Sequence, residues 1–266
     1  MKSPTNKLSF WEHVEVMRWM LIRCAMVVFG LAVVVFCLKD FIFNTLILSP
    51  CNADFITYEW LCKLAAFCQM PSLCPQIESI ELININLSAQ LFTHISISFY
   101  IAIIVSIPYL MLELWLFLSP ALYKKEIKPA IKGALWFTIL FVIGLLLAYL
   151  IIFPLTLNFL GTYQVSERVI NQISLNSYIN TFLTLLFMMG LVFEMPVVAY
   201  FLASIGVLTS NIMSKYRKVA IVIVLTASAF ITPSTDIFTM LLVAIPLQLL
   251  YEFSRIVVKK VENRKK

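Results

Sequence analysis

The sequence predicts an all-α, polytopic membrane protein with six transmembrane helices, and three observations carry that prediction. Of its 266 residues, 61% are hydrophobic and only 13% charged, more apolar surface than a water-soluble domain can cover. The apolar residues gather in runs long enough to cross roughly 30 Å of hydrocarbon, which takes about 20 helical residues. The cations stand in short blocks between those runs, so a formal net charge of +6 reads as a topology signal and not as a nucleic-acid surface.

Four runs have full length, at residues 19–38, 92–118, 133–160 and 178–205. Two shorter ones follow, at 219–231 and 237–251, the second continuing as a helix to near 258, separated by the turn-forming Pro233-Ser234-Thr235-Asp236, which makes them a helical hairpin. About 13 residues of helix reach only about 20 Å, so the last two helices are expected to be short and the bilayer thinned around them. The first run is expected to be retained, because Pro4 to Arg23 carries charges and two Trp, Trp11 and Trp19, in place of a secretory cleavage pattern. Residues 1–266 are read as a single membrane domain, with 39–91 a helical cap loop between the first two spans.

Orientation follows from the placement of Lys and Arg. Lys2, Lys7, Arg18 and Arg23 lie at the amino-terminal end, Lys124 to Lys132 holds four more, Lys215 to Lys218 three, and the tail from Arg255 six. The other connections hold only Lys39, Lys63 and Arg168. Both termini are therefore expected in the cytoplasm.

Of six Cys, Cys51, Cys62, Cys68 and Cys74 share the long loop. Two disulfides in one of three pairings are possible there, and small apolar packing residues are the alternative.

Ser9-Phe10-Trp11-Glu12 forms a capping box, so a helix starts there and leads into the first span. Glu12, Glu15 and Arg18 recur at steps of three along one face; read alone, they are a solvated face with weak ion pairs. Glu194 differs, lying amid Leu191-Val192-Phe193 and Met195-Pro196 inside the fourth span, where an ionisable group is costly and by default functional. Thr226, Ser228 and Thr232 give the fifth helix a small polar stripe suited to helix association in lipid.

The most distinctive stretch is Phe117-Leu118-Ser119-Pro120-Ala121-Leu122-Tyr123-Lys124-Lys125-Glu126. It resembles the TatC family motif Phe-x-x-Pro-(Ala/Gly)-Leu-Tyr-x-x-Glu. Further landmarks in the same order are similar to that family: His13-Val14-Glu15 with Arg18, Pro108 and Trp115, Phe153-Pro154-Leu155, Phe193-Glu194-x-Pro196, Thr232-Pro233, Asp236 and Ala244-Ile245-Pro246.

The resemblance implies the core receptor subunit of the twin-arginine protein translocase, a transport protein of the bacterial inner membrane and not an enzyme. It implies a cupped arrangement of helices bent at prolines, no cofactor, and the proton-motive force as energy source. Its partners would be twin-arginine signal peptides of folded cargo, TatA-like and TatB-like single-helix subunits, and further copies of itself. Glu126 would be the principal arginine ligand, since a carboxylate holds a guanidinium through paired, charge-assisted hydrogen bonds. Glu15 and Glu12 would contribute from the first helix beside Arg18, Phe117 would form part of the wall, and Glu113 would extend the acidic surface or pair with Lys128. Glu194, Thr226 and Asp236 would offer polar contacts to partner helices. One departure stands out: the position two before the first-helix arginine, usually acidic in relatives, is Val16.

Neither His-Glu-x-x-His nor Gly-x-Ser-x-Gly occurs, and the two His, His13 and His94, are far apart; no catalytic or metal-binding constellation is expected. The rival is a proton-coupled secondary transporter built around Glu194 and the span-breaking prolines. A transporter concentrates carboxylates at mid-membrane, whereas Glu15 and Glu126 flank the expected cytoplasmic face.

Overall fold

Hydrocarbon offers no partner for a backbone amide or carbonyl, so an apolar run in lipid pairs its own groups as a helix. The computed structural model describes residues 10–67, 82–118, 127–164, 166, 171–232 and 236–265, and these are overwhelmingly helical. Among the described residues, five stretches are long and apolar enough to cross a membrane: Val14–Cys37, Ala89–Leu114, Leu135–Thr162, Leu175–Ile205 and Ile237–Arg264.

The chain forms two compact units, one of residues 1–38 and 98–138, the other of residues 39–97 and 139–266. In the first, α1 (Phe10–Cys37) is a single 28-residue helix, so the amino-terminal amphipathic turn and the first span are continuous. It is joined there by the carboxyl-terminal part of α3 (Ala89–Leu118) and the start of α4 (Ile127–Leu147).

The second unit opens with irregular backbone: a helical turn at Lys39–Phe41, a π-helical turn at Ile42–Ile47 and a 3₁₀ turn at Ser49–Cys51, before α2 (Ile56–Phe67). Such turns leave carbonyls without helical partners, and aromatic hydroxyls supply them. The Tyr149 hydroxyl donates to the Leu46 carbonyl at 2.9 Å, Tyr178 to that of Ile47, and Tyr58 to that of Pro50 at 3.0 Å. Their rings pack edge to face with Phe55, Phe153 and Phe182, the geometry their quadrupoles favour. A two-stranded parallel ladder pairs β1 (Leu82–Ile83) with β2 (Ile173–Ser174).

Prolines set the breaks. After α4 the chain passes through a π-helical turn at Ala148–Ile152 into α5 (Phe153–Thr162). Pro154 has no amide for that turn, and the Thr57 hydroxyl donates to the Leu150 carbonyl. The fourth span is two helices, α6 (Leu175–Val192) and α7 (Met195–Ile205). Pro196 would clash with the Val192 carbonyl in a continuous helix but is favourable at the start of a new one. Helix α7 ends at Gly206, whose φ of 88° suits the left-handed C-cap.

A short α8 (Ser210–Lys215) leads to α9 (Arg217–Ile231), the fifth of the expected six spans, which at 15 residues is shorter than the five above. The last helix, α10 (Ile237–Lys265), does not end with its apolar run. Its polar continuation stays helical because it has a surface to pack on: Val258 is fully buried with Ala199, Ala203 and Met213. The Tyr251 hydroxyl donates to the Met213 carbonyl at 2.7 Å, and Glu262 accepts from the Ser210 amide at 3.2 Å. The expectation of two short final helices is thus corrected for the last, which has 29 residues.

The cysteine expectation is corrected too. Cys62 is disulfide-bonded, but Cys51 is a free, buried thiol, so two bridges among the four are ruled out; Cys68 and Cys74 lie outside the described residues. Burial raises the Cys51 thiol above its usual pKa, partly offset by a hydrogen bond with Tyr178. A maleimide at neutral pH should therefore label Cys51 far more slowly in the folded protein than after denaturation; equal rates would show that the aromatic layer around it opens readily.

Helices α4 and α6 approach closely at two glycines. A Cβ on Gly144 would lie 2.8 Å from the Met189 carbonyl oxygen, and one on Gly190 would lie 2.6 Å from the buried Phe141 ring. Gly144→Ala should destabilise the protein by about 1–3 kcal/mol through overpacking, whereas Gly30→Ala, with nothing within 4 Å, should be neutral or stabilising. Thermal unfolding in detergent compares the two, and equal effects would remove the packing argument.

Candidate functional site

In the first unit, Glu113 lies one turn before the end of α3 and is only 7% exposed. Both its oxygens are engaged. Oε2 accepts from the Arg23 guanidinium of α1 at 2.9 Å, and Oε1 accepts from the Tyr109 hydroxyl at 2.8 Å, one helical turn back. The Arg23 side chain is 50% exposed against 9% for Glu113, so the carboxylate is the fixed member of the pair and the guanidinium its cover. A charge at the edge of a span survives by this combination of pairing and snorkelling.

Glu15 and Arg18 are on the exposed surface of α1 and make no ion pair among the described residues. Val16 is also exposed. Phe117 is half-buried near the end of α3. The side chain of Glu12 and the whole of Glu126 lie outside the described residues, as does the side chain of Lys128. Glu113 therefore joins neither a described lysine nor the exposed acids; its partner is Arg23, 90 residues away.

In the second unit, Glu194 occupies the joint between α6 and α7. Its backbone is satisfied, the amide donating to the Leu191 carbonyl and the carbonyl accepting from Val197 and Val198. Its side chain is not. The residue is 4% exposed, and neither carboxylate oxygen has a well-formed hydrogen bond among the described residues, the Phe141 backbone being the one polar group that acts on it. The next residue back, Phe193, borders an apolar recess of about 280 Å³ lined also by Leu147, Pro246, Leu249, Leu250 and Phe253.

The hydroxyls of α9 mostly turn back on their own helix. Thr226 donates to the Val222 carbonyl at 2.9 Å, Ser228 to Leu225 at 2.8 Å and Thr232 to Ser228 at 3.0 Å. Ser228 and Thr232 are buried, leaving Thr226 as the outward member of the stripe. Asp236 caps α10, one oxygen accepting from the Thr239 amide and the other from its hydroxyl, both at 2.7 Å.

The spatial group that sequence reasoning missed is Arg23 with Tyr109. A signal was available, since Arg23 stands within the first apolar run and a cation there needs a nearby anion, but nothing local identifies that anion as Glu113.

Comparison with known proteins agrees with this architecture. The TatC family, described as "Sec-independent protein translocase protein (TatC)", matches residues 12–246. The protein so named from Blattabacterium sp. subsp. Periplaneta americana is 33% identical over 258 residues, covering 96% of both chains. Its counterpart from Aquifex aeolicus is 38% identical over 188 residues, 70% of this chain and 77% of that one. A crystal structure of a twin arginine translocase receptor TatC superimposes with a TM-score of 0.69 at 30% identity, covering 94% of this chain and 99% of that one. A second, in the detergent DDM, gives 0.72 at 31% identity, covering 93% and 99%.

Because Glu194 holds no side-chain hydrogen bond among the described residues, removing its carboxyl group forfeits nothing in stability and relieves a desolvation cost of about 1–3 kcal/mol. Glu194→Leu and Glu194→Met should unfold at the same temperature as wild type or higher. A lower unfolding temperature for both would show that the carboxylate is a structural anchor.

Proposed function

The chain belongs to the TatC family of Sec-independent protein translocase proteins and is a multi-pass membrane component of that translocase; from this premise we propose that it is the subunit that receives signal peptides bearing consecutive arginines. The observation supporting this most directly is that one end of the first unit already holds a guanidinium against a buried carboxylate, Arg23 on Glu113, at 2.9 Å. The same chemistry serves an incoming arginine: a guanidinium donor, a carboxylate oxygen as acceptor, and partial desolvation that strengthens the pair relative to open water.

In this reading Glu126 is the principal arginine ligand. Glu15 and Glu12 supply further negative charge from α1, with Arg18 setting the local balance and Phe117 walling the apolar part of the peptide. In this reading the termini lie in the cytoplasm, because the cationic blocks fall on alternate connections, and the membrane is the bacterial inner membrane, as membership of the family implies. The cargo is folded protein, the driving force the proton-motive force, and no covalent chemistry or cofactor is involved.

Glu194 and Thr226 serve the second half of the task. An orphan carboxylate at a helix joint beside an apolar recess suits a single-helix partner of the TatA or TatB kind that brings a donor with its apolar face. Several copies of the chain would assemble with such partners. Asp236 contributes by fixing the start of α10. A proton-coupled transporter draws on Glu194 alone and leaves the Arg23–Glu113 pair without a role.

The test is export of a folded reporter carrying a twin-arginine signal, with Glu126→Ala compared against wild type at equal membrane insertion. Export and signal-peptide crosslinking should both fall at least about tenfold, the scale of one charge-assisted hydrogen bond. Unchanged export and crosslinking would remove Glu126 from the site and return the transporter to consideration.

A further inference from the structure

We infer that Arg23 is an internal stand-in for a signal-peptide arginine, occupying the Glu113 carboxylate in the free protein and yielding it to the incoming guanidinium. The inference rests on the receptor reading above and assigns a guanidinium site within it.

Three observations support it. The carboxylate is complete as a guanidinium receptor: one oxygen is held by Tyr109 at 2.8 Å, which fixes its orientation, and the other faces Arg23 at 2.9 Å. The two partners differ in exposure and origin. Tyr109 belongs to the same helix as Glu113, whereas Arg23 comes from α1 and its side chain is half exposed, open to solvent on one side. Exchange also preserves charge balance. A buried carboxylate stripped of its cation is strongly destabilised, but replacing one guanidinium by another leaves the carboxylate paired throughout. A lysine ammonium, a compact and more strongly hydrated charge than a guanidinium, loses more hydration on entering this half-buried place and replaces Arg23 poorly.

This arrangement has two consequences. The empty receptor does not carry an uncompensated anion at the membrane edge, and its affinity for peptide is lowered by the strength of the internal pair, because the peptide must displace Arg23 to bind. Arg23 is therefore a specificity-determining residue: a signal wins the site only by bringing a group at least as good as its own.

The experiment uses the full chain in lipid nanodiscs and synthetic signal peptides with either two arginines or two lysines before the apolar segment, with binding followed by fluorescence. For Arg23→Gln the twin-arginine peptide should bind about fivefold tighter than to wild type, the strength of a partly exposed ion pair. The twin-lysine peptide should gain less, and the gain should vanish in the Arg23→Gln, Glu113→Gln double variant. That double variant leaves no unpaired buried charge, so it stays measurable if the single variant is poorly folded. Should Arg23→Gln itself unfold, twin-arginine peptide should restore its unfolding temperature further than twin-lysine peptide, and equal restoration would overturn the inference. Unchanged or weaker binding to a folded Arg23→Gln would also overturn it, leaving Arg23 a structural brace. Failure of wild type to prefer arginine over lysine would instead defeat the receptor reading on which the inference rests.

Discussion

The cost of leaving a polar group unpartnered in a medium without water governs this protein. That cost runs to several kcal/mol per group, and the chain answers it differently for two carboxylates in its spans. Glu113 has both oxygens bonded, one within its own helix and one across to α1. Glu194 has neither oxygen bonded among the described residues. The first acid is held as a charge by two donors, and the second stands buried without a comparable bond.

The same constraint shapes the backbone. At the Pro154 turn and in the irregular turns before α2, a side-chain hydroxyl stands at the freed carbonyls: Thr57 at Leu150, Tyr149 at Leu46, Tyr178 at Ile47 and Tyr58 at Pro50. The break between α6 and α7 follows from Pro196 and places Glu194 at the joint instead of midway along a continuous helix. Thus the bend of that span and the placement of its buried carboxylate have one cause.

How much of this was legible in the sequence depended on the range of the interaction. Helical spans follow from local composition, so their existence was readable from apolar runs alone. The joint at Glu194 was readable as a proline effect. The length of α10 was not, because its helix past Tyr251 is held by contacts with α7 and α8 that local polarity does not reveal. The free thiol at Cys51 was equally hidden, since burial against Tyr178 decides it and even spacing does not. At the candidate site, Glu113 was recognised as a membrane-edge acid, yet its partner had to be found across 90 residues. Asp236 and the hydroxyls of α9 read as partner contacts in sequence, while local hydrogen bonds occupy them in the structure.

The central claim is that arginines of a signal peptide are received at the end of the first unit and not at the mid-membrane acid. Photocrosslinking tests this directly, with a photoreactive residue placed beside the arginines of a signal peptide and the adducts mapped on the full chain in inner-membrane vesicles. Adducts on the amino-terminal turns of α1 and the last turns of α3, around Glu15 and Glu113, are the predicted result. Adducts concentrated around Glu194, or an adduct pattern unchanged when the arginines are replaced by glutamines, would contradict it.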